Sequence, residues 1–384
     1  MKKKLYITRA VKITCFLLAV IISLSLLQTY FLRRLDHNSI RLNGYYHENE
    51  ESLDVVLLGA SEIYTSFSAG LAYNKFGFTS YPFATESITA AGTITALKEI
   101  VRTQNPKLIL IEPNAFLYSN TKNEEKEPHI RKLIDNIPLN SNKIEYINNN
   151  VEPDERLEYY VPLIKYHGMW RDYPEPARRV VSTILQDIRG RSILKGYRTT
   201  TDIYNSDVKK INKRIGSETG VLPLNQELER KLRELLTYCV EQDLNVVFVR
   251  MPHMVYNKTY DRVKRSNRAE QIVKGYGFDY LNLERSWDKI GIDIKTDYYN
   301  LDHLNIYGTV KMTNYLGNII QNDYGIGKSE LSDSQKENWE SAAKSFNQLY
   351  RYCDELIKKD ERIQLEEDIN TLSAIKKYSS EDFW

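Results

Sequence analysis

The sequence predicts an α/β protein of three layers, in which a parallel β-sheet lies between helices, preceded by one transmembrane helix. Short apolar segments alternate with longer segments of helical spacing along most of the chain. Such alternation is typical of parallel strands joined by crossover helices. Near the start, residues 13–32 form an uncharged apolar run, whose helical length of about 30 Å matches the hydrocarbon thickness of a bilayer.

The charges on either side of this run predict its orientation. Residues 1–12 carry five basic side chains, and Arg33 and Arg34 follow the run. This excess favours a cytoplasmic segment at 1–12, a transmembrane helix at 13–32 and an extracytoplasmic remainder. The flank LLQTYFLRR lacks a small-residue cleavage site, which favours an uncleaved anchor over a signal peptide. The sequence therefore predicts a single-pass protein of the cell membrane.

The remaining elements alternate along the chain. Short, continuously apolar runs are predicted as buried strands, and segments in which apolar residues recur every three or four positions are predicted as helices. The predicted strands are 54–59, 107–112, 245–250 and 278–283, and the predicted core helices are 88–103, 225–242, 260–274 and 307–320.

Two segments depart from this alternation. Residues 121–220 are polar, and we interpret them as a mostly helical insertion in a core domain that spans 50–325. Residues 330–384 are strongly charged and are predicted to form a helical appendage, with amphipathic helices at 332–359 and 361–377. We interpret the appendage as packed on the core rather than as a partner-binding coil. Its expected buried side chains are Trp339, Phe346, Leu349, Tyr350 and Leu356.

Composition argues against several classes of protein. The 53 Lys and Arg residues nearly balance the 51 Asp and Glu residues, so no basic excess indicates nucleic-acid binding. Three cysteines do not suffice for a disulfide framework or a Cys-rich zinc site. His167, His253 and His303 lie in separate segments without ligand spacing, and no glycine-rich phosphate-binding motif occurs. We therefore expect no metal and no cofactor.

Two motifs near predicted strand ends point to acyl chemistry. Ser61 follows the first strand in the turn Gly59-Ala60-Ser61-Glu62, and His303 lies in YYNLDHLNIYG just before the last core helix. A serine nucleophile needs a base within hydrogen-bond reach and a third group that orients the base. Each residue alone also has a structural interpretation, since Ser61 could be a helix N-cap and His303 a packed histidine.

The segments VVLLGASEIYTSF and DHLNIYG resemble the SGNH/GDSL hydrolase superfamily, and look most like its membrane-anchored bacterial branch of DltD-like and alginate O-acetylation proteins. The resemblance covers roughly residues 50–325 and implies a flavodoxin-like, three-layer sheet. It also implies that Ser61 is the nucleophile and that His303, matching the His of a D-x-x-H motif, is the base.

The family pattern implies an oxyanion hole after the second and third strands. The chain has no Gly in YPFATE, so the backbone amide would come from Ala84 or Thr85, and Asn114 in EPN would supply a side-chain amide. Arg250 and His253 follow another strand and are expected at the same crevice. For Arg250 we expect either contact with an anionic substrate group or a salt bridge at the rim.

The acid of the D-x-x-H motif would stand at position 300, where this chain has Asn300. An amide can orient an imidazole but cannot balance the charge of an imidazolium. Asp302 or Asp297 is an alternative acid, and a Ser-His dyad is another alternative.

The resemblance implies a membrane-anchored, extracytoplasmic serine esterase or O-acyltransferase acting on cell-envelope polysaccharide. Its expected partners are a glycan or acylated polymer, the membrane through residues 13–32 and a membrane protein that donates the acyl group, with no nucleic acid. Asn300 keeps open the alternative of a catalytically inactive SGNH-fold scaffold in cell-envelope polymer assembly.

Overall fold

A parallel β-sheet forms the core, as predicted. The computed structural model describes residues 2–27, 37–168, 175–204, 220–256 and 259–381. The strands are β1 (Val55–Gly59), β2 (Ser80–Ala84), β3 (Leu108–Ile111), β4 (Thr199–Thr200), β5 (Val246–Arg250), β6 (Asp279–Asn282) and β7 (Gln364–Leu365). Within the described residues, five parallel strands form one sheet in the order β2-β1-β3-β5-β6, while β4 and β7 pair antiparallel in a separate ribbon.

Both faces of this sheet are covered. Every residue of β1, β2, β3 and β5 is buried, and successive side chains of a strand point to opposite faces. Continuous burial therefore requires cover on each face, which is the arrangement expected of a parallel sheet. The four predicted strands are confirmed, with ends that differ from the prediction by at most one residue.

The four predicted core helices are also confirmed, as α5, α11, α12 and α14. The helices are α1 (Lys2–Leu27), α2 (His37–Tyr46), α3 (Ser61–Ser66), α4 (Ala69–Phe76), α5 (Ala90–Thr103), α6 (Glu127–Ile134), α7 (Ser141–Asn150), α8 (Arg156–Tyr160), α9 (Leu163–Tyr166), α10 (Glu175–Arg189), α11 (Gln226–Glu241), α12 (Tyr260–Gly275), α13 (Trp287–Ile290), α14 (Ile306–Asn322), α15 (Asp333–Lys358) and α16 (Ile369–Ile375). Helices α6–α10 lie in the predicted insertion.

The N-terminal helix α1 is long and apolar enough to span a membrane. The segment Tyr6–Leu27 has a mean hydropathy of 2.4, and none of its most apolar stretch is buried against the rest of the chain. The apolar helix thus starts earlier than the predicted 13–32, and residues 28–32 of that prediction lie outside the described residues.

The core extends to the N-terminal side of residue 50. Helix α2 packs along the edge strand β2, where Arg41 Nε donates to the carbonyl of Ala84 at 2.9 Å and the Tyr81 hydroxyl donates to the carbonyl of Arg41 at 2.8 Å. Tyr45 lies in the main hydrophobic cluster. Sequence periodicity did not predict α2, because only a few apolar residues occur in its ten positions.

The C-terminal segment packs on the core, as expected of an appendage. Helix α15 lies against α4 so closely that a Cβ on Gly70 would be 2.8 Å from the carbonyl oxygen of Ala342. Of the five side chains expected to be buried, Trp339, Phe346, Leu349 and Leu356 are buried and Tyr350 is partly so. The predicted helix at 361–377 is in part wrong, because β7 forms there first and α16 begins only at Ile369.

Candidate active site

Polar side chains gather where the parallel strands end. Ser61 and Glu62 follow β1, Glu112 follows β3, Arg250 ends β5, and Glu284 lies just beyond β6. The carboxyl ends of the strands form the edge at which open α/β sheets bind ligands. The fold therefore brings together residues that are far apart in sequence.

Ser61 is the first residue of α3, directly beyond β1. The N-cap of α3 is Ala60, which provides no side-chain hydrogen bond to the helix. The interpretation of Ser61 as a helix N-cap is therefore wrong. Its hydroxyl is free for other contacts and faces a cavity.

The loop that carries His303 is held by hydrogen bonds at its base. The amide of Tyr299 donates to the carbonyl of His303 at 3.1 Å, and the amide of Asn305 donates to the carbonyl of Asp297 at 2.9 Å. The ring of Tyr299 stacks on the imidazole with 5.3 Å between centroids. Asn305 also caps α14 through its side chain. These contacts fix both the backbone and the ring plane of His303.

Two contacts tie the helix after His303 to the segment after Ser61. The Thr309 hydroxyl on α14 donates to the carbonyl of Thr65 on α3 at 2.6 Å. The amide of Ser68 donates to the hydroxyl of Thr313 at 3.0 Å. Because α3 begins at Ser61 and α14 begins just after His303, these bonds set the distance between the serine and the histidine.

Ser61, His303 and Asn300 form a hydrogen-bonded chain. His303 Nε2 lies 2.6 Å from the Ser61 hydroxyl oxygen, and His303 Nδ1 lies 2.8 Å from Asn300 Oδ1. The backbone amide of Asp302 also donates to Asn300 Oδ1, at 2.9 Å. Because a backbone amide can only donate, this contact turns the Asn300 oxygen toward the imidazole. Nδ1 then carries the proton, and Nε2 is left as the acceptor for the serine hydroxyl.

The protonation state of His303 suits a base. Burial lowers the pKa of His303 below its usual value, and the nearby Glu62 and Asp302 carboxylates only partly offset this effect. The imidazole is therefore neutral near pH 7 and can take the serine proton.

A cavity of about 360 Å³ opens beside these three residues, a size within the range of small-molecule sites. Ser61, His303 and Asn300 line it together with Arg198 and Gln364. Arg198 belongs to the insertion and Gln364 to the C-terminal segment, and the guanidinium of Arg198 donates to the side chain of Gln364. The insertion and the C-terminal segment, both predicted to lie outside the alternating core, thus each contribute to the wall of the cavity.

The three candidate oxyanion residues do not line this cavity. The amide of Thr85 donates to the carbonyl of Gly59 at 3.2 Å in the continuation of the sheet ladder. Ala84 is the last residue of β2, with its carbonyl bound to Arg41. Asn114 is buried, and its side-chain amide donates to the carboxylate of Glu62. The YPFATE segment mostly lies within β2 rather than after it.

The alternative acids face other partners. Asp302 Oδ1 lies 3.5 Å from Arg262, and its carboxylate is partly exposed. Asp297 is buried and forms an ion pair with Lys311 at 2.7 Å. Of the three candidates at Nδ1 of His303, the structure places Asn300 there.

Arg250 lies neither at a rim nor in the cavity. It is 1% exposed, with Nη1 3.3 Å from Glu112 and Nη2 2.9 Å from Glu284. Nη1 also donates to Asn114 Oδ1 at 2.5 Å. Arg250 thus belongs to a buried polar network beneath the serine, in which Glu284 is its ionised partner, and neither expected role for it is found.

Sequence reasoning missed this buried network, which we call the strand-end network. Its members share a position at or just beyond a strand end, and all are buried: Glu62, Glu112, Asn114, Arg250, His253 and Glu284. A signal for it existed, since charged residues directly after buried parallel strands converge on one edge of the sheet. Only the fold shows that they are buried and paired with one another.

The chain matches no protein-family model and no curated protein. The fold and the geometry of the site are therefore the observations on which a function can be based.

Proposed function

We propose that this protein is a membrane-anchored serine esterase or O-acyltransferase of the SGNH/GDSL type that acts on ester groups of cell-envelope polysaccharide. The observation that carries the proposal is the contact of 2.6 Å between the Ser61 hydroxyl and Nε2 of His303 at the wall of a cavity. The ring of His303 is oriented from its other side by Asn300. This is the geometry of an activated serine nucleophile.

The topology of the sheet agrees with the proposal. With the short strand β4 set aside, the order β2-β1-β3-β5-β6 corresponds to the flavodoxin-like order 2-1-3-4-5. Ser61 follows the first strand and His303 precedes α14, as in the superfamily that the sequence resembles. A shared fold alone does not imply a shared function, so the site has to carry the argument.

The site can perform acyl transfer in two steps. In the first, Ser61 Oγ attacks the ester carbonyl carbon while its proton passes to His303 Nε2. The tetrahedral intermediate then collapses, the ester C–O bond breaks, and His303 returns the proton to the leaving alcohol. In the second step, water or a sugar hydroxyl attacks the acyl carbon and gives its proton to His303 Nε2; the bond between that carbon and Ser61 Oγ then breaks, and His303 returns the proton to Ser61. Water gives hydrolysis, and a sugar hydroxyl gives O-acyl transfer.

Asn300 is compatible with this chemistry. An amide in the place of the acid is severely damaging when it stabilises the wrong imidazole tautomer, whereas proteases of the Cys-His-Asn type use an amide at this position. Here the amide of Asp302 holds the Asn300 oxygen toward Nδ1, which selects the correct tautomer.

The donor for the oxyanion in this proposal is the backbone amide of Ser61. Helix α3 begins at Ser61 without a side-chain cap, so the amide of Ser61 has no partner within the helix. A backbone amide at the start of a helix stabilises negative charge that develops in the transition state. Asn114 is not an oxyanion donor in this proposal, because its side-chain amide donates to the carboxylate of Glu62.

The N-terminal helix supports the cellular setting. Helix α1 is able to cross a membrane, and basic residues lie at its N-terminal end. This distribution of charge favours an N-terminus in the cytoplasm and a catalytic domain outside it. An anchored catalytic domain in that position can reach polymers of the cell surface. In the transferase version, a membrane protein would supply the acyl group.

The proposal is tested with the full-length protein in detergent. We expect hydrolysis of p-nitrophenyl acetate and labelling by a fluorophosphonate, both abolished in Ser61→Ala. Mass spectrometry of the trapped acyl-enzyme should place the label on Ser61, and acetylated polysaccharide should release acetate. Equal, slow hydrolysis by wild type and Ser61→Ala would contradict the proposal. It would instead favour an inactive SGNH-fold scaffold, the alternative that Asn300 suggests.

A further inference from the structure

The acid residue of a serine-histidine site normally contributes two things, orientation of the imidazole and negative charge. Asn300 supplies the orientation in this protein but carries no charge. The described structure nevertheless holds a carboxylate on the opposite side of the serine. Oε2 of Glu62 lies 3.3 Å from Ser61 Oγ.

We propose that Glu62 is the electrostatic partner of His303, so that the two contributions of the acid are divided between Asn300 and Glu62. This inference rests on the proposed function, since it assigns a role in the same reaction. The single proton of the Ser61 hydroxyl has two acceptors within reach, Glu62 Oε2 at 3.3 Å and His303 Nε2 at 2.6 Å, and the shorter contact to His303 is the one used for proton transfer. One hydroxyl group thus separates the carboxylate from the nitrogen that becomes charged.

The surroundings of Glu62 hold its carboxylate in place. Its Oε1 accepts a hydrogen bond from the side chain of Asn114 and lies 3.4 Å from Nε2 of His253. The other ring nitrogen of His253 lies 3.0 Å from Glu284. The strand-end network thus leaves Oε2 of Glu62 directed toward the serine.

The same surroundings keep Glu62 ionised. Burial opposes ionisation, but the hydrogen bond from His253 and the positive charge of His253 hold the pKa of Glu62 well below its usual range. Burial and Arg250 oppose protonation of His253, yet hydrogen bonds to Glu284 and Glu62 raise the pKa of His253 to about 9. Glu62 is therefore a carboxylate bound to a cation.

The reaction explains why this charge matters. When Ser61 attacks, its proton moves to His303 Nε2, and the ring changes from neutral to positive while the ester carbonyl oxygen becomes negative. The charge of Glu62 is constant through the step. Its attraction to His303 exists only after the proton transfer, so it stabilises the imidazolium of the intermediate, an interaction that the ground state lacks.

Other charged groups also face His303. Asp302 precedes it on the same loop, Glu86 follows β2, and His253 follows β5. Asp302 and Glu86 are each paired with a basic residue, Arg262 and Lys132 respectively, and are more exposed than Glu62. Glu62 is the carboxylate among them that contacts the serine hydroxyl.

The test measures the charge on His303 directly. In full-length protein in detergent with ¹⁵N-labelled histidine, the His303 signal is assigned with His303→Gln and titrated with pH. A nearby negative charge stabilises the protonated ring, so Glu62→Gln should lower the titration midpoint, by roughly one pH unit. Asp302→Asn is the matched control, because it removes one charge from a carboxylate paired with Arg262, and should lower the midpoint less.

Turnover supplies a second measurement. With p-nitrophenyl acetate, Glu62→Gln should reduce kcat at least tenfold, leave KM nearly unchanged and move the acidic limb of the pH profile to lower pH. Adding Asn300→Asp to Glu62→Gln should restore much of the loss, because it returns a charge to the other side of the ring. Asn300→Asp alone should change kcat less than tenfold, since the wild type already has its carboxylate.

These outcomes separate the inference from the proposed function. An unchanged His303 midpoint in folded Glu62→Gln overturns the role of Glu62, even where Ser61-dependent turnover is found. If Glu62→Gln does not fold, a hundredfold gain in Asn300→Asp overturns it, because the wild type would then lack the charge. Absence of Ser61-dependent turnover in the wild type overturns the proposed function, and the titration still decides whether Glu62 sets the charge of His303.

Discussion

Gly59 and Glu112 lie so close together that a Cβ on Gly59 would be 2.6 Å from the Cβ of Glu112. The same added carbon would lie 2.7 Å from Cγ1 of Ile63. Gly59 ends β1 two residues before Ser61, and Glu112 follows β3 on the neighbouring strand. The turn between β1 and Ser61 therefore requires glycine at position 59, because a side chain there would overlap Glu112 and Ile63.

Gly59→Ala should disturb both the fold and the site. The added methyl group has to displace Ile63 on α3 or Glu112 in the strand-end network, and overpacking of this kind costs about 1–3 kcal/mol. We expect lower thermal stability and a large loss of fluorophosphonate labelling at Ser61. Gly275→Ala is the control, because nothing lies within 4 Å of a Cβ at that position. A Gly59→Ala protein with unchanged melting temperature and labelling would contradict the predicted close packing.

Substitutions of Asn300 and Asp302 show which of the two residues supports His303 as the base. Asn300→Ala removes the acceptor for Nδ1 of His303 and for the amide of Asp302, so the proton is no longer held on Nδ1 and Nε2 is no longer kept as the acceptor. We expect kcat for an ester substrate to fall at least about tenfold. Asp302→Asn leaves the contact between Asn300 and His303 intact and should reduce kcat by less than Asn300→Ala. The reverse ranking would show that Asp302, rather than Asn300, supports the base.

The sheet could be predicted from the sequence because β1 and β3 are continuously apolar, β5 is apolar up to its last residue, and periodic helices separate these strands. Strand β2 gave a weaker signal, since it contains Pro82, which is tolerated because β2 lies at the edge of the sheet. Strands β4 and β7 have two residues each and lie far apart in the chain. Their pairing has no local sequence signal, because it depends entirely on tertiary packing.

The site was predictable where a residue's role follows from its place beside one element. Ser61 after β1 and His303 before α14 are of this kind, and the structure places them in contact. Glu62 is different, because a glutamate in a helix normally indicates a solvent-exposed face. Its burial depends on Asn114 and His253, which come from two other strand ends. No pattern along a single segment contains that information.

Lys195 joins three parts of the protein through one buried ion pair. It is fully buried, with Nζ 2.7 and 2.9 Å from the two carboxylate oxygens of Glu48 and 4.3 Å from the centre of the Trp339 ring. Lys195 belongs to the insertion, Glu48 follows α2 and Trp339 lies on α15. The pair therefore connects the insertion and the C-terminal helix with the start of the core.

Lys195→Met should destabilise the protein strongly. It leaves the carboxylate of Glu48 buried without a cation, which costs about 3–5 kcal/mol. The double variant Lys195→Met/Glu48→Leu should recover most of this loss, because apolar replacement of both partners of a buried pair is often neutral. Thermal or urea unfolding of the full-length protein measures both effects. A single variant as stable as the wild type would show that the pair does not hold the three segments together.

Glu112 should make the protein less stable as the pH rises. Burial, together with the charge of Glu62, raises the pKa of Glu112 to about 8, against an ordinary value of 4.5, although Arg250 opposes this shift. A carboxyl group whose pKa is raised by folding contributes stability that is complete below pH 4.5 and is lost as the pH rises through about 8.

Glu112→Gln keeps the shape of the neutral group but cannot ionise. Its melting temperature should equal that of the wild type near pH 4 and exceed it at pH 8–9. Glu355→Gln, at a partly exposed position on α15, is the control, and its pH dependence should parallel that of the wild type across this range. If Glu112→Gln and the wild type lose stability in parallel between pH 5 and 9, Glu112 is not the group that titrates.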